Sequence, residues 1–413
     1  MVALKDIKKE ETLTLNVVHV SGGQVNWALI YLRRARLIDV SSLLKDHEEL
    51  VISLGDKTRI GMFYVKLVWT LEFMQRLRES YQYLQKALEL GEEIKDEKII
   101  AYSCAWLTYA CNDLGLLDDA VAYGKRVQDS DLYMSDLILF RQSTTSMAAT
   151  YWFRGDIKNT MAKADVLIEY GQSHSDMLCI SLGYIMRGRS HMSAGDITSS
   201  IENAQKSVPY AVEPIFFVSA NMFLGEAYLA NGQYQEAEKV LQEVRKVTES
   251  NGFAFIGTLA NILQDFIMII RGDISQGIEM IEAVMALLFK SERRYRYAFC
   301  NYTLGKVYLQ IVQGGGGKKD FSFLAKNIGF MIKTVPFAHQ KAEKHFNIAI
   351  NTAKEIGAKG VLAQAYFDMG RLRQTKGKTD EARKYITDAI QLFEECEADV
   401  YLKQAREALA SLD

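Results

Sequence analysis

Counting by forties along this chain returns, again and again, to the same kind of residue. Val40, Ser80, Ala120, Thr160 and Ser200 are all small or slim. After one step of 37 the series resumes at Ala237 and Gly277, and later at Ala342 and Ala382. Five residues ahead of most members stands a helix breaker: Gly115, Gly155, Gly195, Gly232, Gly272 and Gly377. A fixed period of this size marks a solenoid, in which each unit buries its apolar face only against its neighbours. The fold is tightly constrained; the ligand is not, because solenoids bind with surfaces the repeat pattern leaves free.

Composition decides which solenoid. Three prolines in 413 residues, with 49% hydrophobic and 24% charged residues, point to helix almost throughout and to one elongated domain. A net charge of −2 lacks the basic footprint of a nucleic-acid binder. Cys104, Cys111, Cys179, Cys300 and Cys396 form no C-x-x-C pair and are odd in number, which fits buried thiols in a reducing, cytoplasmic setting. Met1 to Glu11 has no apolar signal-peptide core, and the most apolar stretch, Phe266 to Ile270, is far too short to span a membrane.

Residues 218–251 illustrate one unit. Leu224, Gly225 and Tyr228 share a helix face that ends at Asn231-Gly232, a left-handed stop; Tyr234 and Ala237 then open a second amphipathic helix through Val240, Leu241 and Val244. Gly-Asp-Ile recurs at 155–157, 195–197 and 272–274, giving a stop, a capping Asp and an apolar residue to seat the next helix. Leu224, Gly225, Tyr228, Gly232, Tyr234, Ala237 and Leu241 resemble the tetratricopeptide-repeat signature, as do Tyr366, Met369, Gly370, Gly377, Ala382, Ile386 and Ala389. The unit departs from the family's in its forty-residue period and in lacking the closing proline. The resemblance implies an all-α, right-handed α-α superhelix.

Nine hairpins are expected, beginning near residues 21, 61, 101, 141, 181, 218, 258, 298 and 363, after a lead-in over 1–20. The solenoid then fills 21–413, and a helix over about 400–412, with a polar outer face, caps its open end. Between Gly277 and Ala342 the step is 65, so about 25 residues, 313–337, are inserted into the turn of one hairpin. Gly314 to Gly317 make a flexible stretch, Phe321 to Lys333 an apolar helix, and Pro336 closes it. A phosphate loop is excluded by its missing Ser/Thr and missing strand. The expected role is an arm docked through Phe321, Leu324, Ile328 and Met331, with a membrane or partner anchor as the alternative.

The C-terminal strings Leu304–Gln310, Ala325–Phe330, Ala342–Phe346, Glu355–Gly360 and Tyr401–Leu409 are similar to the repeat region of bacterial regulators. Those proteins join a class III nucleotide cyclase, an NTPase module and a tetratricopeptide array, a layout shared with maltose-regulator activators. The cyclase and NTPase parts have no counterpart here, so the resemblance implies a regulatory part and no enzymatic one.

Walker A, H-E-x-x-H, G-x-S-x-G and zinc-type spacings are absent, and no cofactor or metal is expected. His339 and His345 are six apart, a poor metal pair, and read as ordinary surface or interface residues, while His191 reads as a packed histidine. Lys290, Arg293, Arg294 and Arg296 read as a solvated helix start, with contact to phosphate or an acidic peptide as the alternative. In tetratricopeptide arrays the first helix of each hairpin lines the concave face. Mapped here, that face holds Trp69, Tyr109, Thr145, Trp152, Arg189, Glu226, Phe266, Tyr302, Lys306 and Arg371. Aromatics interspersed with Arg and Lys suit a protein or peptide partner, although Trp69, Trp152 and Phe266 could equally pack between helices. The expected function is a non-catalytic interaction scaffold; the alternative is a sensor that takes a small ligand or signalling peptide inside the superhelix.

Overall fold

A computed structural model of the chain describes residues 44–73, 76–251, 253–314 and 321–412; the side chains of 69–70, 72–73, 254–256 and 321–333 lie outside that description. Each turn glycine does what its position predicts: Gly115, Gly155, Gly195, Gly232, Gly272 and Gly377 all have positive φ. The slim residues beneath them, from Ser80 and Ala120 through Ala342 and Ala382, are fully buried where the paired helices touch.

The described residues form eighteen α-helices and a short 3-10 turn. They are α1 (Glu48–Ser53), α2 (Lys57–Phe73), α3 (Leu77–Ile94), α4 (Glu97–Leu114), α5 (Leu117–Gln128) and α6 (Leu137–Arg154). Next come α7 (Ile157–His174), α8 (Met177–Ala194), α9 (Ile197–Ser207), the 3-10 turn Val208–Tyr210, α10 (Pro214–Ala230), α11 (Tyr234–Asn251) and α12 (Ala254–Ile270). The chain ends with α13 (Ile274–Lys290), α14 (Arg294–Val312), α15 (Phe321–Ile356), α16 (Lys359–Gln374), α17 (Thr379–Glu395) and α18 (Asp399–Ala410). From α2 to α17 these pair into eight hairpins. The expected first hairpin, near residue 21, falls mostly outside the described residues, as do Val40 and the lead-in.

Aspartates set the helix starts. Asp156 and Asp196, from the Gly-Asp-Ile motif, accept from the backbone N–H of Asn159 and Ser199. Asp273 holds the same position without a side-chain cap bond. A second series forty apart, Asp96, Asp136 and Asp176, caps α4, α6 and α8 in the same way. Each such cap contributes about 1 kcal/mol. The second series also reaches between repeats: the Tyr102 hydroxyl donates to Asp136 at 2.8 Å, and Arg141 pairs with Asp176 at 3.2 Å.

The superhelix closes on itself. Besides touching its neighbours, α2 meets α12, α4 meets α14, α6 meets α16 and α8 meets α18. Each of these partners is ten helices on, so five hairpins complete one turn. The hairpin turns form the seam. A Cβ built on Gly115 would come within 2.6 Å of Ile356, one on Gly155 within 2.8 Å of the Gly360 backbone nitrogen, and one on Gly195 within 2.7 Å of Val400. At one end of the seam, Arg293 and Arg296 both pair with Asp113, and Arg78 pairs with Glu292.

Two expectations need correction. Arg293 does not open a solvated helix; its side chain is 1% exposed and committed to Asp113 on the previous turn. The insert is not a separate helix closed by Pro336 either, because α15 runs unbroken for 36 residues with Pro336 inside it. Proline removes one backbone bond but sets helical φ, and no left-handed residue is available beside it to turn the chain. Contacts from Arg294–Glu355 to Tyr308–Lys341 place α14 alongside the C-terminal half of α15. At 1.5 Å per residue α15 is about 54 Å long against about 28 Å for α14, so its N-terminal part extends past the end of its hairpin partner. Among the described residues, no helix is long and apolar enough to cross a membrane.

Candidate binding cavity

Closing the turn encloses space. A cavity of about 780 Å3 sits inside the superhelix, within the size range of ligand pockets. Its wall is built mainly from the first helices of successive hairpins. Trp152 comes from α6, Ser193 from α8, Glu226 from α10, Phe266 from α12, and Tyr302 with Lys306 from α14. Closure adds Gln364 of α16 and Tyr401 of α18 from the following turn.

The structure brings together Trp152, Glu226, Phe266, Tyr302 and Lys306 of the residues expected to form the groove. Arg189 lies directly behind them. Its guanidinium is 4.3 Å from the Trp152 ring centre and 4.9 Å from that of Phe223, and it reaches the Glu226 carboxylate at 3.4 Å. Burial pulls its pKa down, while Glu226 opposes that shift. Such a cation between two rings is held by packing on both faces and is a rigid part of the wall. Trp152 is fixed as well: its indole N–H donates to Ser193 Oγ at 3.0 Å. Tyr295, stacked on Phe153 at 3.8 Å, supports the same corner, and burial pushes its phenol well up.

The other expected positions are elsewhere. Tyr109 is half-buried, edge-on to Trp106, and its charge interaction is with Arg296. Thr145 is half-buried with its hydroxyl oxygen unpaired in the core. Arg371 holds Asp368 at 3.1 Å, and Asp368 in turn accepts from the Tyr302 hydroxyl at 3.2 Å, so Arg371 buttresses the wall without lining it. The side chains of Trp69 and of the arm residues Phe321, Leu324, Ile328 and Met331 lie outside the described residues.

Sequence reading missed Tyr295, Phe299, Thr303 and Gln310, although they continue the Tyr302–Lys306 stripe of α14 at helical spacing. It had no means of finding Gln364 and Tyr401, which arrive through closure. His345 is buried, bonded through Nδ1 to Asn301 Oδ1 at 3.0 Å and stacked on Tyr308. His339 bonds the Leu372 carbonyl at 3.3 Å. Among the described residues, no three His, Cys, Asp or Glu side chains gather as metal ligands.

Comparison with known proteins agrees with this architecture. The tetratricopeptide-repeat family profile matches residues 218–250 and 363–396. No curated protein matches the chain in sequence. Among solved structures, a Rap protein complexed with Competence and Sporulation Factor is 14% identical, with a TM-score of 0.52 over 90% of this chain and 99% of the other. Aspartyl phosphate phosphatase F from Bacillus subtilis is 13% identical, with a TM-score of 0.44 over 95% of each chain. A signal-transduction ATPase with numerous domains and a tetratricopeptide repeat sensor, from Pyrococcus horikoshii, is 13% identical, with a TM-score of 0.40 over 89% of this chain and 55% of its own. The profile matches mark two tetratricopeptide-repeat units, and with the left-handed turn glycines and the buried slim residues the fold is a tetratricopeptide-like helical solenoid.

Proposed function

We propose that this chain is a non-catalytic regulatory binding module that takes a peptide segment inside its superhelix. The observation that carries the reading is the cavity itself. It is lined by aromatic side chains held in place by packing, has polar groups interspersed among them, and is walled by two successive turns of one solenoid. Fixed aromatics around convergent polar groups form the composition of a peptide-binding hot spot. The Rap structure, complexed with Competence and Sporulation Factor, supports the same use of this fold. The resemblance of the C-terminal strings to the repeat region of bacterial regulators supports a signalling role.

The concave, half-open geometry favours a free peptide or short segment over a broad protein surface. Thermal-shift screening against peptide pools tests the reading, with two charge substitutions as controls. Phe266→Glu, in the cavity wall, should abolish stabilisation by any binding pool. Leu287→Glu, on an exposed face of α13, should leave it unchanged. Removing one hot-spot aromatic costs about 2 kcal/mol or more, so the contrast is measurable. Equal loss in both variants, or equal retention, rules the cavity out as the binding site.

A further inference from the structure

Among the described residues that line the cavity, only two carry a charge, Glu226 and Lys306. Their situations differ. Glu226 is already matched by Arg189, which the Trp152 and Phe223 rings hold in position. Lys306 is exposed to the cavity, and its ammonium stands 5.5 Å over the face of Tyr302. Among the described residues no carboxylate pairs with it. The nearby acid, Asp368, is buried and committed to the Tyr302 hydroxyl and to Arg371. The Lys306 charge is thus positioned by an aromatic ring and left for something else to meet.

The surroundings strengthen the same sign. Arg296, a further cation, is near enough to Arg189 and Glu226 to affect both, and it pairs with Asp113. Within the lining itself Glu226 is matched by Arg189, so the charge left over there is that of Lys306. The chain as a whole carries −2. A concave site with low-dielectric walls focuses such a charge on whatever enters. Gln310, one helical turn from Lys306, and Gln364 on the facing helix also line the space, and their amides offer both donors and acceptors to a peptide backbone.

Resting on the proposed peptide-binding function, we infer that the ligand is an acidic one: a short peptide of apolar and aromatic side chains whose carboxylate is received by Lys306. The rest of the wall selects against charge, so a peptide with one acidic group fits and a polyacidic segment does not. Lys306 sets this specificity, and Glu226 does not oppose it because Arg189 cancels its charge.

The test uses the full chain and three pools of N-acetylated hexapeptides built from Leu, Phe, Tyr, Met and Gly. The first has one Glu and an amidated C-terminus, the second Gln in place of Glu, and the third Gln with a free C-terminal carboxylate. Retention by the protein in ultrafiltration is read by mass spectrometry, with decanoate as a non-peptide carboxylate. The Glu pool, the free-acid pool or both should be retained about tenfold better than the neutral pool, and which of them it is names the source of the carboxylate. That preference should vanish in Lys306→Met and reverse in Lys306→Glu, with unchanged circular dichroism because Lys306 is exposed. It should also shrink with added salt. Equal retention of acid and neutral pools overturns the inference while leaving the peptide-binding function standing. So does an acid preference that survives Lys306→Met. Retention of decanoate alone overturns the peptide assignment, and retention of nothing overturns both readings together.

Discussion

Gly155 and Gly377 occupy the same place in their hairpins, five residues before a buried slim residue and with left-handed backbones of φ +78 and +67. Their surroundings have little in common. A Cβ at Gly377 would meet nothing within 4 Å, whereas one at Gly155 would meet the Gly360 nitrogen and the Cys396 sulfur, each at 2.8 Å. The first glycine serves only its own turn. The second also lets the next turn of the superhelix close against it. An open solenoid is stabilised by unit and nearest-neighbour terms alone; this one adds a longer-range term every five hairpins, and the cavity exists only because of it.

The strongest way to break the closed region is at its buried charge cluster. Asp113 is the shared partner of Arg293 and Arg296, and its removal takes a paired carboxylate from a buried guanidinium. Asp113→Ala should cost about 3–5 kcal/mol, read as a lowered denaturant midpoint. It should also abolish peptide binding under conditions where far-ultraviolet circular dichroism remains helical, since each hairpin keeps its own neighbours. A loss below about 1 kcal/mol would mean that the turns do not depend on this cluster for contact.

That cluster also shows where sequence reading stops. The period, the turn glycines and the slim contact residues are local features repeated at fixed spacing, and each was legible. Arg293 was misread because its partner lies 180 residues away, and nothing near either residue announces the other. The wall residues of α6, α10, α12 and α14 were legible in part, because they follow a register. Gln364 and Tyr401 were not, because their place in the cavity depends on how far the superhelix rotates per hairpin, a quantity summed over many small packing angles. Pro336 was misread for a different reason: a proline was taken as a stop where flanking helix formers carry the helix through.

Acid provides a second contrast, this time between two hairpins. Burial, aided by the charges of Lys344 and Lys341, lowers the His345 pKa to about 4. The unfolded imidazole takes a proton near pH 6.5 that the folded one refuses, so stability falls as pH drops from about 6.5 to about 4. The limit of that loss is about 3 kcal/mol. Asp265 works in the opposite direction: burial raises its pKa to about 6, so its cost is relieved over roughly the same range. Comparing wild type with His345→Gln isolates the histidine. The variant should lose less stability on acidification, and an identical pH profile would mean that His345 is protonated in the fold.

The glycines give the direct comparison. Gly155→Ala must hold alanine in a left-handed backbone and push apart two turns, for about 2–3 kcal/mol in all. Gly377→Ala has only the backbone strain, about 1 kcal/mol. Equal effects on the denaturant midpoint would mean that the seam at Gly155 relaxes freely.

The smallest effect is expected on α18, which belongs to both regions. Val400 meets Gly195 of the previous turn, and Tyr401 lines the cavity. Arg406, five residues after Tyr401 and about 140° round the helix at 100° per residue, pairs instead with Glu394 in solvent, both side chains being about half exposed. An exposed pair of long side chains gives up rotamer freedom for a screened attraction. Arg406→Ala should therefore change stability by less than about 0.5 kcal/mol, and the difference should disappear in high salt. Tyr401→Ala, on the same helix, should cost several times more, because it removes a ring stacked on Phe393 and opens the cavity wall. A large effect at Arg406 would show that the outer face of the last helix is coupled to closure, and the division between seam and open surface would have to be redrawn there.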